Sequence, residues 1–260
     1  MRDLKVTLVQ HELLWEQPED NREQFATLLA KEMPETDVIM LPEMFTTGFS
    51  MNALANAEAV GGPTENWMKE QAELHNCAIT GSVAIQDGDE VFNRMLFVTP
   101  EGVSHYDKRH LFRMAGEHKR YGIGQDRVVV DWRKWRIKLE VCYDLRFPVF
   151  SRNREDYDLL LYVANWPAPR AEHWRTLLRA RAIENLACVV GVNRIGADAN
   201  GWEYRGDSLA FDARGEALTD LASERAVETV SFSKESLDAY RESFPTHLDA
   251  DSFALDLPER

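Results

Sequence analysis

Short apolar runs recur along the chain and predict a set of β-strands. They are rich in Val, Ile, Leu and Phe and are bounded by Gly, Pro or charged residues, as strands are. The run at 158–166, DLLLYVANW, is too apolar for either face to be solvated, which predicts a central strand. The predicted strands are residues 5–10, 37–43, 77–86, 91–100, 102–108, 127–132, 136–142, 158–166, 188–196, 207–218 and 226–233.

Three longer segments carry apolar residues at helical spacing. Residues 20–32 predict a helix that Asp20 or Asn21 caps, and a second helix opens at Thr64. Residues 170–187 give the clearest helical pattern. The apolar stripe of this last segment consists of Trp174, Leu177, Leu178, Ala182 and Leu186.

The order of these elements is mixed, with β-α-β units and hairpins interleaved, and predicts a mixed α/β (α+β) fold. Residues 77–86 and 91–100 predict a hairpin across the turn 87–90, DGDE. No linker rich in Gly, Pro or Ser divides the chain, so we expect one domain over residues 1–260, with residues 244–260 as a C-terminal tail. A sheet covered by helices on one face must bury its other face, and two sheets packed between helix layers meet that requirement.

The acidic composition narrows the possible partners. The chain has 44 Asp and Glu against 30 Lys and Arg, a formal net charge of −14, which argues against nonspecific binding to nucleic acid or an anionic membrane. No apolar run approaches the ~18 residues of a transmembrane helix, and the N-terminus lacks the features of a signal peptide. Three cysteines without a CxxC pair predict free thiols and a reducing, cytoplasmic location. The seven histidines form no metal-binding motif, so no metal or cofactor is expected.

Three residues with complementary chemistry each follow a predicted strand. Glu43, Lys108 and Cys142 close the runs DVIMLP, GVSHYD and RIKLEV. Ligands of α/β sheets gather outside the carboxyl ends of strands, so these side chains can share one crevice. In such a crevice a thiolate would attack an acyl carbon, a carboxylate would accept the thiol proton and later activate water, and an ammonium would stabilise an oxyanion.

Each of the three residues also has a purely structural interpretation. A lone cysteine at a strand end is usually part of the core. A glutamate after Pro42 usually belongs to a loop or a helix cap, and a run such as Asp-Lys-Arg-His is usually solvated surface. The functional interpretation therefore depends on the three segments together.

Together, the segments resemble the catalytic motifs of the nitrilase superfamily of carbon–nitrogen hydrolases. They read LPEMFTTGF, YDKRHLF and VCYDLRFP, in the order and at the separations usual in that superfamily. The likeness continues through LLLYVANWP, RARAIEN, NRIG and YRGDS, and it is greatest to the bacterial omega-amidases, which hydrolyse 2-oxoglutaramate and 2-oxosuccinamate. The resemblance implies a four-layer α-β-β-α sandwich of the nitrilase type, no cofactor, a small-molecule amide substrate, and assembly through the α face into a homodimer or higher homo-oligomer.

The resemblance also implies a role for each residue of the candidate site. Cys142 would be the nucleophile, Glu43 the general base and Lys108 the oxyanion donor. Glu117 matches a second glutamate of the family, which would orient Lys108 or the substrate amide, and the backbone N–H of Tyr143 would complete the oxyanion hole.

Residues that bind the rest of the substrate are less sharply indicated by the sequence. Arginine suits a carboxylate because its planar fork can bind both oxygens. We expect Phe45 and Phe49 to wall a small pocket, although aromatic residues in such a loop are more often core, and we assign Cys77 and Cys188 to the core. The candidates for substrate binding, each with a surface or structural alternative, are Arg113, Tyr121, Trp166, Arg170 and His173.

Two further expectations concern the surroundings of Cys142. Asp144 and Arg146 are expected to brace the turn through a buried polar pair. Glu140 departs from the family pattern, because residues two apart on a strand share a face and a carboxylate there would raise the pKa of the thiol. Arg136 or Lys138 could neutralise it.

Two alternatives to an omega-amidase stay open on the sequence. Within enzymes, the alternative is another carbon–nitrogen hydrolase, acting on an N-carbamoyl or aliphatic amide, and a nitrilase proper resembles the chain less. Outside enzymes, the alternative is a non-catalytic scaffold that keeps the sandwich. The presence of Glu43, Lys108 and Cys142 argues against a scaffold, since a scaffold needs none of the three.

Overall fold

The computed structural model describes residues 2–32 and 35–255 and contains two large β-sheets with α-helices outside them. The strands are β1 (Leu4–Gln10), β2 (Val38–Met40), β3 (Glu58–Ala59), β4 (Ala78–Asp87), β5 (Glu90–Thr99), β6 (Gly102–Asp107), β7 (Val129–Trp132), β8 (Trp135–Val141), β9 (Leu159–Ala164), β10 (Cys188–Asn193), β11 (Ile195–Ala197), β12 (Glu203–Arg205), β13 (Leu209–Phe211), β14 (Ala217–Asp220) and β15 (Ala226–Phe232). The helices are α1 (Pro18–Glu32), α2 (Ala53–Asn56), α3 (Pro63–His75), α4 (Pro148–Ser151), α5 (Ala171–Asn185) and α6 (Lys234–Ser243).

The first sheet has the strand order β15-β1-β2-β4-β5-β6, with the short β3 pairing β4. Strands β1, β2 and β4 are parallel, because α1 and α3 serve as crossovers, and the other neighbours along this order are antiparallel. The predicted hairpin is confirmed: Asp87 pairs with Glu90 across a turn in which Gly88 has a φ of 60°.

The second sheet has the strand order β14-β13-β10-β9-β8-β7. Strands β8, β9 and β10 are parallel, and α5 is the crossover between the last two. All six residues of β9 are buried, which confirms the predicted central strand. Gly191 of β10 lets α5 pack closely, because a Cβ atom there would lie 2.5 Å from Leu178 Cδ1 and 2.6 Å from Trp174 Cζ2.

The two sheets pack face to face between two helix layers. One apolar cluster fills the space between the sheets and continues to α5 and α6; Val6 of the first sheet and Leu139 of the second both belong to it. A second cluster joins the first sheet to α1 and α3 and includes Phe25 and Met68. Each fully buried side chain of this size contributes about 1.5–3 kcal/mol to folding. The arrangement confirms the predicted four-layer α-β-β-α sandwich.

The start of the first helix differs from the prediction. Helix α1 begins at Pro18, a favoured first residue, so Asp20 and Asn21 lie inside the helix and do not cap it. The side chain of Asn21 instead joins two loops, since it accepts from Leu14 N at 2.9 Å and donates to Thr46 O at 2.7 Å. The short helices α2 and α4 and the longer α6 were not predicted.

Helix α6 carries signals that the sequence does contain. Ser233 caps it by accepting a hydrogen bond from Ser236 N, and Leu237 is buried beneath it. Beyond it lies a short 3₁₀ turn, Thr246–Asp249. Residues 256–260 of the predicted tail lie outside the described residues, and the one-domain organisation stays a prediction. No helix within residues 2–32 and 35–255 is long and apolar enough to cross a membrane.

The two sheets bring four loops together at one end of the sandwich. Glu43 lies just beyond β2 and Lys108 directly follows β6, both on the first sheet. Cys142 directly follows β8 and Asn165 follows β9, both on the second sheet. Stacking the sheets therefore places the carboxyl ends of strands from both sheets around one crevice.

Candidate active site

Cys142 lies where β8 ends and a 3₁₀ turn, Cys142–Arg146, begins. Its φ of 47° is left-handed, a conformation that non-glycine residues rarely adopt and that is concentrated at functional sites. The strained turn directs the thiol away from the strand faces and into a cleft, where 8% of the residue is exposed. Cys77 and Cys188 are buried in the apolar core, as expected.

Lys108 is fully buried between two carboxylates. Its Nζ atom donates to Glu43 Oε1 at 2.9 Å and to both oxygens of Glu117 at 3.0 Å. All three side chains have a relative exposure of 0%. The ammonium also lies 5.0 Å from the centre of the Phe49 ring. The structure thus brings Glu43, Lys108 and Glu117 into one ion cluster beside Cys142.

Two asparagines complete this cluster. Asn165 donates its backbone N–H to Glu43 Oε2 at 2.7 Å and its side-chain Nδ2 to the backbone oxygen of Glu43 at 2.5 Å. Asn93 donates from Nδ2 to Glu43 Oε1 at 2.8 Å and to Glu117 Oε1 at 3.2 Å. Glu117 Oε2 also accepts from Phe112 N at 2.6 Å. Neither asparagine was among the residues predicted for the site.

Burial and charge together set the protonation of the cluster. Burial disfavours the charged form of Lys108, but Glu117 and Glu43 outweigh that cost and raise the pKa of the ammonium. Burial raises the pKa of Glu117, although Lys108 opposes the shift. Burial, reinforced by the charge of Glu43, raises the pKa of Cys142 well above its ordinary value, and Lys108 offsets only part of this. The resting thiol is therefore protonated.

The cleft above Cys142 has a volume of about 500 Å³ and a largely apolar lining. Lys108 and Cys142 contribute to its lining, and so do the two arginines Arg146 and Arg170. A cleft of this volume suits a small organic substrate. The lining residues are Phe49, Met51, Lys108, Phe112, Met114, Ala115, Cys142, Tyr143, Arg146, Asn165, Trp166, Pro167, Arg170, Asp198, Asn200, Trp202 and Tyr204.

The structure separates the five residues expected to bind substrate into two groups. Trp166 and Arg170 line the cleft, whereas Arg113, Tyr121 and His173 do not. Tyr121 is buried beside the ion cluster and donates its hydroxyl to Ser50 O at 2.7 Å. Arg113 is exposed on a 3₁₀ turn next to the lining residue Met114.

The two phenylalanines after Glu43 also occupy different environments. Phe49 lines the cleft beside Lys108. Phe45 is fully buried in the core and packs edge-to-face against Phe25, with ring centres 5.8 Å apart. Phe45 therefore takes the packing role that its alternative interpretation described.

Arg146 and Asp144 do not form the expected brace. Arg146 lies over the Trp166 ring at 4.8 Å from its centre and contacts His173 Nδ1 at 3.0 Å, so its guanidinium belongs to the cleft. Asp144 is fully buried and accepts hydrogen bonds from Val141 N at 2.9 Å and Tyr106 OH at 2.7 Å. The sequence motif placed both residues near the nucleophile, but only the folded turn shows that they point apart.

The carboxylate of Glu140 has its own partners. Lys138 Nζ donates to one oxygen, and Ser151 Oγ donates to the other at 2.7 Å. Of the two cations considered, Lys138 is therefore the partner, and Arg136 pairs with Asp158 at 2.7 Å. Because Cys142 has left the strand conformation, Glu140 does not share its surroundings, and the pKa of Cys142 is raised mainly by burial and by Glu43.

A small hairpin of β11 and β12, which was not predicted, forms one wall of the cleft. Its tip carries Asn200-Gly201, a pair favoured in tight hairpin turns, so the sequence does contain a signal for this hairpin. Asp198 holds the hairpin together, since it accepts from Trp202 N at 3.0 Å and from Tyr204 OH at 2.9 Å. Within the described residues, no three His, Cys, Asp or Glu side chains cluster closely enough to hold a metal ion.

Comparison with known proteins identifies relatives over nearly the whole chain. A family model described as carbon–nitrogen hydrolase matches residues 5–242. The chain is 52% identical to omega-amidase YafV of Yersinia enterocolitica, and the alignment covers 98% of this chain and 100% of that protein. It is 31% identical to 2-oxoglutaramate amidase of Bacillus subtilis (strain 168), over 92% of this chain and 95% of that protein.

Solved structures agree on the fold. The structure of XC1258 from Xanthomonas campestris, described as a CN-hydrolase superfamily protein with an arsenic adduct in the active site, superimposes with a TM-score of 0.96 at 47% identity and covers 98% of this chain and 100% of that one. Nit3 of Saccharomyces cerevisiae, a nitrilase superfamily member, has a TM-score of 0.86 at 21% identity over 94% and 95% of the two chains, a likeness of fold alone. The predicted nitrilase-type sandwich is confirmed.

Proposed function

The chain belongs to the carbon–nitrogen hydrolase family, and we propose that it is an omega-amidase that converts 2-oxoglutaramate or 2-oxosuccinamate to the 2-oxo diacid and ammonia. One observation carries the proposal: a thiol on a strained turn lies at the end of a cleft, next to a buried Glu43–Lys108–Glu117 cluster, and two guanidinium groups line the same cleft. The relatives named omega-amidase and 2-oxoglutaramate amidase support the substrate class.

In the proposed first step, Glu43 accepts the proton of Cys142 as the sulfur attacks the carbon of the terminal amide. Coupling of the two events fits a thiol whose pKa is raised by burial and by Glu43 itself. The attack forms the S–C bond and moves an electron pair to the amide oxygen. Collapse of this intermediate breaks the C–N bond, and the proton held by Glu43 passes to the leaving nitrogen, which departs as ammonia.

The oxyanion formed in this step needs donors that are already in place. Lys108 Nζ and the backbone N–H of Tyr143 are proposed for that task. Lys108 is held by contacts to Glu43 and Glu117 at 2.9–3.0 Å, so its ammonium does not have to reorganise as negative charge develops. In a buried site, such a fixed charge acts more strongly than it would in water.

The second half of the reaction releases the acid. Once ammonia has left, Glu43 is ionised again and can deprotonate a water molecule that attacks the thioester carbon. The S–C bond then breaks, the thiolate regains the proton from Glu43, and the carboxylic product leaves. Asn165 keeps the carboxylate of Glu43 oriented for both steps, since the backbone N–H of Asn165 donates to Glu43 Oε2 at 2.7 Å.

The distal carboxylate and keto group of the substrate would be bound by Arg146 and Arg170. Both line the cleft, and each guanidinium lies over an aromatic ring, Trp166 for Arg146 and Phe112 for Arg170. Burial lowers the pKa of Arg146, and the charge of the neighbouring Arg170 lowers it further, although Tyr143 opposes the shift. A substrate carboxylate would relieve this repulsion.

A panel of substrates tests the proposal. Ammonia release is measured with 2-oxoglutaramate, 2-oxosuccinamate, glutamine, asparagine, an N-carbamoyl amino acid and an aliphatic nitrile. We expect a clear preference for the two oxo-acid amides. Turnover of another compound instead would keep the nucleophile and replace the substrate. The scaffold interpretation would be favoured if no compound were turned over and Cys142 were no more reactive than the other thiols. The buried charge cluster argues against a scaffold, because burying these charges costs stability.

We also propose a cytoplasmic homodimer or higher homo-oligomer that assembles through the α5–α6 layer. The three cysteines are free thiols, which suits a reducing compartment. Ile183 of α5 and Phe244 after α6 expose 48% and 53% of their surface on this layer, an arrangement that a second copy could cover. Light scattering coupled to size-exclusion chromatography measures the mass of the assembly, and a monomer would contradict the proposal.

A further inference from the structure

We infer that Asn93 is a positioning residue for catalysis, which holds Glu43 and Glu117 in the arrangement that Lys108 requires. The inference rests on the proposed roles of Glu43, Lys108 and Cys142 and adds a residue that no sequence motif indicated. Asn93 lies within β5 and is fully buried. It does not line the cleft, so it acts through its neighbours and has no contact of its own with substrate.

Asn93 contacts each charged member of the cluster. Its Nδ2 atom donates to Glu43 Oε1 at 2.8 Å and to Glu117 Oε1 at 3.2 Å, the same two oxygens that accept from Lys108 Nζ at 2.9 and 3.0 Å. Its backbone oxygen accepts from Lys108 N at 3.0 Å, one residue beyond the end of β6. One residue thus fixes the lysine through its backbone and both carboxylates through its side chain.

The charges of the cluster explain why an amide is needed there. Two buried carboxylates face a single ammonium, so the group carries an excess negative charge when all three are ionised. A neutral N–H donor between the carboxylates stabilises them without adding a second cation that would compete with Lys108. The reverse amide orientation would place Oδ1 against both carboxylates. In the observed orientation Nδ2 makes both carboxylate contacts, and Oδ1 has no hydrogen-bond partner among the described residues.

This arrangement predicts an effect on proton transfer. The N–H groups of Asn93 favour the ionised carboxylates, and the proposed base must be ionised to accept the thiol proton. Loss of these donors would make protonation of the cluster easier. The acid limb of the pH profile would then move to higher pH, and kcat would fall while KM stayed close to its original value.

The experiment compares Asn93→Leu with Asn185→Leu. Asn185 is also a buried amide, but it contacts Asn153 N and Arg181 O and has no contact with Glu43 or Glu117 among the described residues. We expect Asn93→Leu to lower kcat by about 10²-fold and to move the acid limb of kcat/KM upward by about one pH unit. The control should lose stability while keeping the acid limb of the wild type. Alkylation of Cys142 by iodoacetamide, followed against pH, gives the same comparison without a substrate.

The outcomes separate this inference from the proposed function. An acid limb in Asn93→Leu that matches the wild type and the control would overturn the positioning role, whatever the loss of stability. If Asn93→Leu does not fold, Asn93→Ser replaces it, and failure of both variants to fold would make Asn93 structural and overturn the inference as well. A wild-type protein that hydrolyses none of the amides would instead contradict the proposed function, and the alkylation profile would still test Asn93.

Discussion

The carboxylate of Asp144 makes two contacts with His110, in the loop after Lys108, and so joins this loop to the turn that holds Cys142. Asp144 Oδ1 accepts from His110 N at 2.9 Å and contacts His110 Nδ1 at 2.8 Å. Its Oδ2 accepts from Val141 N at 2.9 Å, immediately before the thiol. The two loops come from different sheets, so this single carboxylate fixes how the candidate oxyanion donor and nucleophile meet.

Asp144→Asn should therefore lower both stability and activity. The amide nitrogen that replaces one oxygen would face donors on either side, which leaves buried groups unpaired. We expect the free energy of unfolding at pH 7 to fall by about 2–3 kcal/mol and kcat to fall by at least about tenfold. Urea unfolding and ammonia release measure the two effects. Asp131→Asn, at an exposed carboxylate, is the control and should stay within about 0.5 kcal/mol of the wild type.

The same substitution has a defined pH dependence. Burial opposes ionisation of Asp144, but the hydrogen bonds from His110, Val141 and Tyr106 outweigh it and hold its pKa below the ordinary value. A lowered folded-state pKa contributes stability above the unfolded pKa of about 3.9 that is lost as the pH falls through the folded value. The stability gap between wild type and Asp144→Asn should thus be present at pH 5 and shrink as the pH falls below about 4. A gap that stays undiminished from pH 5 to pH 2 would contradict this account.

Lys108→Met should abolish activity and destabilise the protein most at neutral pH. The substitution leaves Glu43 and Glu117 buried without their cation, and removal of one partner from a buried ion pair costs about 3–5 kcal/mol. Burial already raises the pKa of Glu117 with Lys108 present. A carboxyl with a raised folded-state pKa loses stability as the pH rises, so the variant should approach the wild type near pH 5. Thermal unfolding at pH 5 and pH 8 tests this, and an equal loss at both would count against it.

Cys142 should react with iodoacetamide before either other cysteine. Burial raises the pKa of all three thiols, but Cys142 lines the cleft and has Glu43 beside it to accept the proton, whereas Cys77 and Cys188 lie in the apolar core. Mass spectrometry after brief labelling at pH 7.5 should locate the label at Cys142, and Cys142→Ala should be folded, unlabelled and inactive. Glu43→Gln should slow labelling by about 10²-fold. Labelling that is equal at all three positions would oppose a nucleophilic role.

The positions of the three main site residues could be predicted because each directly follows a strand or its closing proline. Glu43, Lys108 and Cys142 follow predicted strands, and strand ends of α/β sheets converge by geometry alone. Asn93 gave no such signal, since it lies within β5 and looks like one polar residue of a buried strand. Its importance depends on side chains that reach it from elsewhere in the fold, which no local pattern encodes.

The substrate-binding side chains were harder to predict for a related reason. Proximity along the chain placed Tyr121 near Lys108, but its hydroxyl turns to Ser50 O in the core of a neighbouring loop. Arg146 was paired with Asp144 by sequence distance, yet from the 3₁₀ turn the two side chains reach different partners, Trp166 and Tyr106. The direction of a side chain from a tight turn depends on single dihedral angles, and spacing in the sequence does not fix those angles.

Arg146 should decide the affinity for the acid end of the substrate. Arg146→Met keeps the length of the stem over Trp166 but removes the guanidinium that lies in the cleft. We expect KM for 2-oxoglutaramate to rise by about 10–100-fold with a smaller change in kcat, because a charge-assisted contact worth about 1.5–3 kcal/mol is lost far from the scissile bond.

A neutral substrate separates this role from damage to the nearby turn of Cys142. Butyramide has the same amide but no carboxylate, so its kcat/KM should be nearly equal in the wild type and in Arg146→Met. Arg154→Met, an exposed arginine whose guanidinium packs over Phe253, is the matched control and should leave both substrates unaffected. If Arg146→Met lowered kcat/KM equally for the acid and the neutral amide, the guanidinium would be supporting the turn, and Arg170 would become the candidate for the carboxylate.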